Sequence, residues 1–308
     1  MRRYLNGNCE HGFIETSSWE PHSWVNIEKP NDEDMDFLHT LEIPQSFIES
    51  VDDPDERPRI EQENGWLLTI IRIPVIVKDG DDKTFETVPM GIIAKDDVIV
   101  TICNKITDLV PDFIEHTHRR DIRVENLPDL ILRLIYSSTY WFLHYLKQIN
   151  DGVVRASKVL RKSIRNDDLI GLMDIQKILV YFNTSIKGNE VLLERIQQYF
   201  KDEYDTDLLE NIEVEIKQAA NTVDVYTEIL SGMMDSYASI ISNNVNDIMK
   251  KMTGVSVVLM FPTLIASFYG MNVAMSIGDN RWAFAFIVVG SISLAIILYF
   301  ILRRLKWL

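Results

Sequence analysis

Residues 252–278 and 282–302 contain no Asp, Glu, Lys or Arg: 27 consecutive positions, then 21, separated only by Asp279, Asn280 and Arg281. A helix needs about 20 apolar residues to cross the hydrocarbon core of a bilayer, and both stretches reach that length. They predict two membrane-spanning helices joined by a short turn. The competing reading is a pair of core helices buried in a soluble protein, which has no need of two runs of full membrane length. The second stretch, WAFAFIVVGSISLAIILYFIL, is apolar all round and reads as lipid-facing. The first begins MTGVSVVLMFPTLIASFYGMN and carries Thr, Ser and Pro at intervals.

Basic residues set the orientation. Lys250 and Lys251 precede the first span, Arg303, Arg304 and Lys306 follow the second, and the loop SIGDNR holds one basic residue. Both termini are therefore expected in the cytoplasm of a multi-pass plasma-membrane protein, with Trp282 and Trp307 at the two interfaces. The expected partition is an α/β domain over 1–125, a helical hairpin over 126–206 and a stalk helix over 207–251. The first transmembrane helix follows over 252–272, the external loop over 273–281, the second transmembrane helix over 282–302 and a basic cytosolic tail over 303–308.

Charge is unevenly placed. The chain carries −15 overall, while the segment from Asp279 onward carries +3, so residues 1–278 carry −18. Nucleic-acid binding needs a basic surface and is excluded on this balance. The acidity fits ordinary solubility or a domain that concentrates cations. Cys9 and Cys103 have no pairing or metal-ligand spacing, as in a reducing compartment. The start, MRRYLNGNCEHG, has no apolar core and is not expected to be a cleaved signal.

Four runs rich in β-branched residues predict strands: 23–29, 65–77, 84–94 and 97–104, with turns at 78–83 and 95–97. Short helices are expected near Pro44–Phe47 and Asp112–His118. The fold class is thus an α/β cytosolic domain with a mixed sheet. From Asn126 the pattern turns helical, and 129–163 and 168–199 read as a long antiparallel hairpin. Phosphate-binding and metalloprotease motifs are absent, and no nucleophile stands beside a base. The chain does not read as an enzyme.

The segment from Leu208 constrains function most. Leu209, Ile212, Ile216, Ala219, Val223, Tyr226, Leu230, Met233, Tyr237 and Ile240 alternate spacings of three and four. This is a heptad seam, and a surface for self-association. It shifts by one residue and continues as Ile241, Val245, Ile248 and Met252, as at a stutter. With no proline before Pro262, one helix is expected from about Leu208 to Tyr269. A second stripe lies beside the seam: Asp235, Ser239, Ser242, Asn246, Met249, Thr253, Ser256, Met260, Thr263, Ser267 and Gly270. Small and hydroxylated residues at helical spacing mark close helix packing or a water-filled path. The continuation into Asn246 and Asp235 favours a cation path. Two spans are too few to enclose one, so several copies must surround it, and rotational symmetry turns each residue into a ring.

Tyr269-Gly270-Met271-Asn272 between two terminal spans, behind a large acidic domain, resembles the CorA family of magnesium and cobalt channels. The resemblance runs upstream through Ser242-Asn243, Asn246, Met249-Lys250 and Thr253, and downstream to Lys306-Trp307-Leu308. It covers about the last hundred residues at motif level. It implies a funnel-shaped homopentamer whose first spans line the pore. It also implies a selectivity ring of Gly270, Met271 and Asn272, with Tyr269 packed behind it. Met249, Met252 and Met260 become apolar constrictions, Met252 on resemblance alone. Mg²⁺ is then the substrate, with Co²⁺ and Ni²⁺ beside it, and also a regulatory ligand; no cofactor is required. The cytosolic domains are expected to sense divalent ions between subunits, with Asp96, Asp97, Glu210 and Glu213 as candidates. Many members carry an acidic Met-Pro-Glu-Leu stretch in the outer loop. VAMSIGDNR lacks it and leaves Asp279 as the only carboxylate, which keeps a zinc transporter of the same architecture as an alternative. A membrane-anchored signalling or scaffold protein is the alternative of another class.

Overall fold

The computed structural model describes residues 1–308 except 9–11, 21–22, 80–81, 161–165, 202, 272–281 and 308. Its strands are β1 (Arg2–Asn8), β2 (Gly12–Thr16), β3 (Trp24–Glu28), β4 (Arg59–Glu63), β5 (Trp66–Asp79), β6 (Asp82–Lys95) and β7 (Val98–Cys103). Its helices are α1 (Asp32–Thr40), α2 (Gln45–Asp52), α3 (Leu109–Arg119), α4 (Leu127–Leu160), α5 (Asn166–Phe200), α6 (Thr206–Tyr269) and α7 (Ala283–Arg304). The chain divides into two units, Met1–Ser231 and Gly232–Leu308, and α6 runs from the first into the second.

The first unit is built on one sheet of order β2-β1-β3-β7-β6-β5-β4. Only β3 and β7 run parallel, so the sheet is mixed, as expected. The four anticipated strands are β3, β5, β6 and β7. Strands β1, β2 and β4 and helix α1 were not anticipated. Alternation along β3 sends Val25 and Ile27 to one face, where they pack with Leu38, Phe47 and Val51 of α1 and α2. The same alternation sends Trp24, Asn26 and Glu28 to the other face, where Trp24 meets Phe13 and Phe113. Helix α1 is held by a capping box in which Asn31 and Asp34 satisfy each other's backbone N–H.

Helices α4 and α5 join the sheet through β5. Strand β4 covers β5 only from Trp66 to Ile70. Arg72, opposite Pro89 of β6, lies beyond that cover, with its N–H and C=O turned to the side that β4 leaves open. The Arg72 peptide groups instead meet α5. The Arg72 N–H donates to Asn189 Oδ1 at 2.8 Å, and Asn189 Nδ2 donates to the Arg72 carbonyl at 2.8 Å. Ser138 of α4 donates to the same carbonyl at 2.9 Å. One amide side chain thus replaces the missing strand and protects an open sheet edge. The approach is close: a Cβ at Gly188 falls 2.9 Å from Pro58 Cγ.

Helices α5 and α6 lie antiparallel. Gln197 bonds Glu213, Asn183 bonds Asp224 and Gln176 bonds Ser231. Along this stretch Leu209, Ile212, Ile216, Ala219, Val223 and Leu230 are all buried within the one chain. This corrects the sequence reading: the first half of the seam is spent inside the subunit and offers nothing to a second copy. The shifted continuation differs, with Val245, Ile248 and Met252 exposed.

Two measurements test this unit. Asn189→Ala strands the part-buried Arg72 N–H and C=O, at a cost of about 1–2 kcal/mol, and is expected to lower the midpoint of denaturant unfolding. Glu28 is 1 % exposed, with Oε2 unpartnered. Burial raises its pKa above the usual 4.5, against the pull of Asn26, Arg3 and the Thr107 N–H. An acid with a raised folded-state pKa binds its proton more tightly when folded, so ionisation penalises folding as pH rises through that range. Glu28→Gln is expected to melt higher than the parent at neutral pH, with the gain vanishing as pH falls below about 4.5.

Candidate functional site

The second unit holds the apolar part of α6 and all of α7. Helix α6 is continuous for 64 residues, with Pro262 inside it, so the expected single helix through to Tyr269 is found. Both α6 and the Phe284–Arg304 segment of α7 are long and apolar enough to cross a membrane. Only 6 % of the apolar window in each is buried within the chain. A core helix of a soluble protein hides such a window, so these two are offered to another apolar medium.

Continuous helix places Asp235, Asn246, Met249, Thr253, Ser256, Met260, Thr263 and Ser267 along one face, because steps of three and four return to it. All eight are exposed on the single chain. Met260, at 67 %, and Met252, at 63 %, are the most open of the methionines on this helix. Leu259, Met260, Thr263, Leu264 and Ser267 line a shallow open groove. Ser256 donates to the Met252 carbonyl and Thr263 to the Leu259 carbonyl, each at 2.9 Å. Both hydroxyls are therefore satisfied by their own helix and still present an oxygen outward.

The helix ends at the motif. Gly270 N–H donates to the Ala266 carbonyl at 2.9 Å, and Met271 N–H donates to Phe268 at 3.4 Å, a tighter closing turn. A Cβ at Gly270 falls 3.3 Å from the Ala266 carbonyl oxygen. Glycine thus fits where the chain leaves the helix. Asn272 and Asp279 lie outside the described residues.

The four sensing candidates are separate features of one chain. Asp96 and Asp97 form the turn between β6 and β7, with Asp96 at φ 49°. Glu210 is exposed at the start of α6. Glu213 accepts from Gln197 Nε2 at 2.9 Å and pairs with Lys217 at 3.6 Å, so its carboxylate is already engaged. Among the described residues no group of three or more His, Cys, Asp or Glu side chains is placed to hold a metal ion.

Comparison with known proteins decides the family. The family described as CorA-like Mg2+ transporter protein matches residues 19–304. The chain belongs to it. A cobalt/magnesium transport protein CorA from Methanocaldococcus jannaschii is 24 % identical over 293 residues, 92 % of this chain and 91 % of that protein. The complete structure of a CorA magnesium transporter from the same organism superposes with a TM-score of 0.81 at 21 % identity. It covers 100 % of this chain and 99 % of that one. The ZntB cytoplasmic domain from Vibrio parahaemolyticus superposes with a TM-score of 0.59 at 11 % identity, over 79 % of this chain and 97 % of that one. The CorA-like match spans both units, whereas sequence motifs carried the resemblance only through the last hundred residues.

The stripe on α6 is open to a direct test. Cys103 is buried and its thiol is pushed up to about 12 by that burial, so it stays inert to thiol reagents. In a Cys9→Ser background, Ser256→Cys, Met260→Cys, Thr263→Cys and Ser267→Cys are expected to react with a charged, membrane-impermeant methanethiosulfonate. Val258→Cys, Phe261→Cys and Ile265→Cys, on the opposite face, are expected to stay unmodified. Equal protection on both faces would assign the stripe to helix packing.

Proposed function

We propose that this CorA-like protein is a homo-oligomeric channel that admits Mg²⁺ to the cytoplasm, with Co²⁺ and Ni²⁺ as further substrates. The observation that carries the reading is the polar face of α6. It crosses a membrane-length apolar segment and ends at Gly270 and Met271, in a chain of this family.

The chemistry follows from the residues. Mg²⁺ gives up its water reluctantly and prefers oxygen partners. A ring of Asn272 side-chain oxygens and backbone carbonyls at the outer end of α6 receives the hydrated ion through its waters. Such oxygens are neutral, so they hold the cation without trapping it, as conduction requires. Further in stand rings of Thr263, Ser256 and Thr253 hydroxyls and, among them, Met260, Met249 and, on the family pattern alone, Met252, whose apolar girdles close the path by dewetting. Asn246 and Asp235 stand at the cytoplasmic mouth. A negative-inside potential favours entry by about 2.3 kcal/mol per charge per 100 mV, so a passive pore takes cations up.

Five copies complete the ring on the family pattern. In this reading residues 1–251 and 303–308 face the cytoplasm of the plasma membrane. Asp96 and Asp97 of one copy meet Glu210 or Glu213 of the next around a regulatory Mg²⁺, and Glu213 must release Gln197 and Lys217 to take part. The second reading is a Zn²⁺ transporter of the same architecture. Two observations favour it: the superposition on a ZntB cytoplasmic domain, and an outer loop whose single carboxylate is Asp279.

The test is ion flux into liposomes holding the purified full chain and a magnesium-sensitive dye, beside Asn272→Ala. Mg²⁺ entry in the parent and its loss in a correctly assembled variant are expected. Entry of Zn²⁺ without Mg²⁺ would select the second reading. No divalent flux under any gradient would overturn both in favour of a tethered scaffold.

A further inference from the structure

Seven of the chain's eleven methionines fall between residues 233 and 275. Two of them, Met249 and Met252, stand three residues apart on the continuous helix α6, where positions i and i+3 are surface neighbours. Both are exposed, Met249 at 58 % and Met252 at 63 %, so neither side chain is spent on a core. Lys250 and Lys251 leave the helix about 100° to either side of the pair, and Lys250 leans to Asp247 at 3.9 Å.

An apolar girdle needs no sulfur. Leucine has a similar volume and helix propensity, and the same helix exposes leucine at Leu259 and Leu264. What methionine adds is a polarizable thioether. Such a donor is soft: it selects ions of the Cu⁺ class and leaves Mg²⁺ to oxygen. Two thioethers at i and i+3, on unbranched and flexible stems, can close on one ion from a single chain.

We propose that Met249 and Met252 form a thioether site on α6 for a soft monovalent cation of the Cu⁺ or Ag⁺ class. The site needs only the exposed helix. It has one consequence that rests on the channel reading. Met249 belongs to the polar stripe, so an ion held by the pair stands in the path of Mg²⁺ and blocks it. The oxygens of the stripe and the sulfurs of the pair thus sort cations by hardness, passing one kind and retaining the other.

Equilibrium dialysis of the purified full chain against Ag⁺, in detergent and chloride-free buffer, tests the site. A Cys9→Ser background removes one thiol, and the other, Cys103, is buried and held protonated. Met249→Leu and Met252→Leu, made singly, are each expected to lose Ag⁺ that the parent retains. Met173→Leu removes an exposed methionine with no sulfur three or four residues away, and is expected to lose none. These swaps nearly conserve volume, so the fold tolerates them. Unchanged retention in Met249→Leu and Met252→Leu would overturn the proposal and leave the pair as an apolar girdle only. Equal loss in Met173→Leu would overturn it in favour of unspecific binding to any open thioether. Mg²⁺ flux into liposomes reads the consequence separately. Ag⁺ is expected to stop entry in the parent and to spare it in Met249→Leu with Met252→Leu. Flux untouched by Ag⁺ bound at the pair would overturn the block and take the pair out of the path. Absence of Mg²⁺ entry before any Ag⁺ is added would strike the channel reading and not the site.

Discussion

In hydrocarbon a backbone amide has no partner except the carbonyl of its own helix, and the architecture of the second unit follows from that constraint. It explains why the apolar stretch of α6 is helical to Tyr269 despite the β-branched run Val255, Val257 and Val258 and despite Pro262. The proline removes one donor, which ordinarily breaks a helix, yet the ladder resumes on both sides. It also explains why the helix stops where it does. At Gly270 and Met271 the last bonds shift to a tighter turn, and the residues beyond carry the polar chemistry that the interior of the bilayer excludes. The part of α6 that belongs to the first unit is stabilised differently, by burying Ile212, Ile216, Val223 and Leu230. One helix is thus held by two unrelated forces.

Much of this was legible in the sequence because the signals were long. Charge-free runs of membrane length, a three-four periodicity sustained over ten positions and strands with a single apolar rhythm each average out local noise. The short edge elements did not give such signals. Strand β1, RRYLNGN, and strand β4, RIEQE, are polar and lie toward the sheet's margins, where pairing and not burial makes them strands. Helix α1 did carry a signature, Asn31 three residues before Asp34. Its acid-rich first turn, Asp32-Glu33-Asp34, hid the two residues that anchor it, Phe37 and Leu38.

The seam exposes a limit of periodicity itself. Heptads state that a face will be buried without naming the partner. Here the partner of Leu209 through Leu230 is the same chain, brought round by the α4–α5 hairpin, whose own polar contacts Asn183–Asp224 and Lys187–Asp224 fix the register. Self-association must therefore use other surfaces. On α6 the exposed apolar residues include Val214, Val225 and Ile229 beside the buried seam, the continuation from Val245 to Met252, and the face that ends at Gly270.

The hydroxyls on that face do not by themselves distinguish a pore from a packing surface. Ser256 and Thr263 bond back to their own helix, so they cost little against lipid, against a neighbouring helix or against water. Methionine is equally indifferent, being apolar and adaptable. The discriminating residues are those that one of these environments penalises. Asn246 brings both a donor and an acceptor, and Asp235 brings a full charge, on the line that leads into the membrane. A dry interface leaves such groups unpaired at a cost of several kcal/mol, whereas an aqueous mouth leaves them solvated and gives Asp235 a cation to attract. The polar face is therefore read from its charged end inward, and the neutral oxygens nearer Gly270 take their meaning from it.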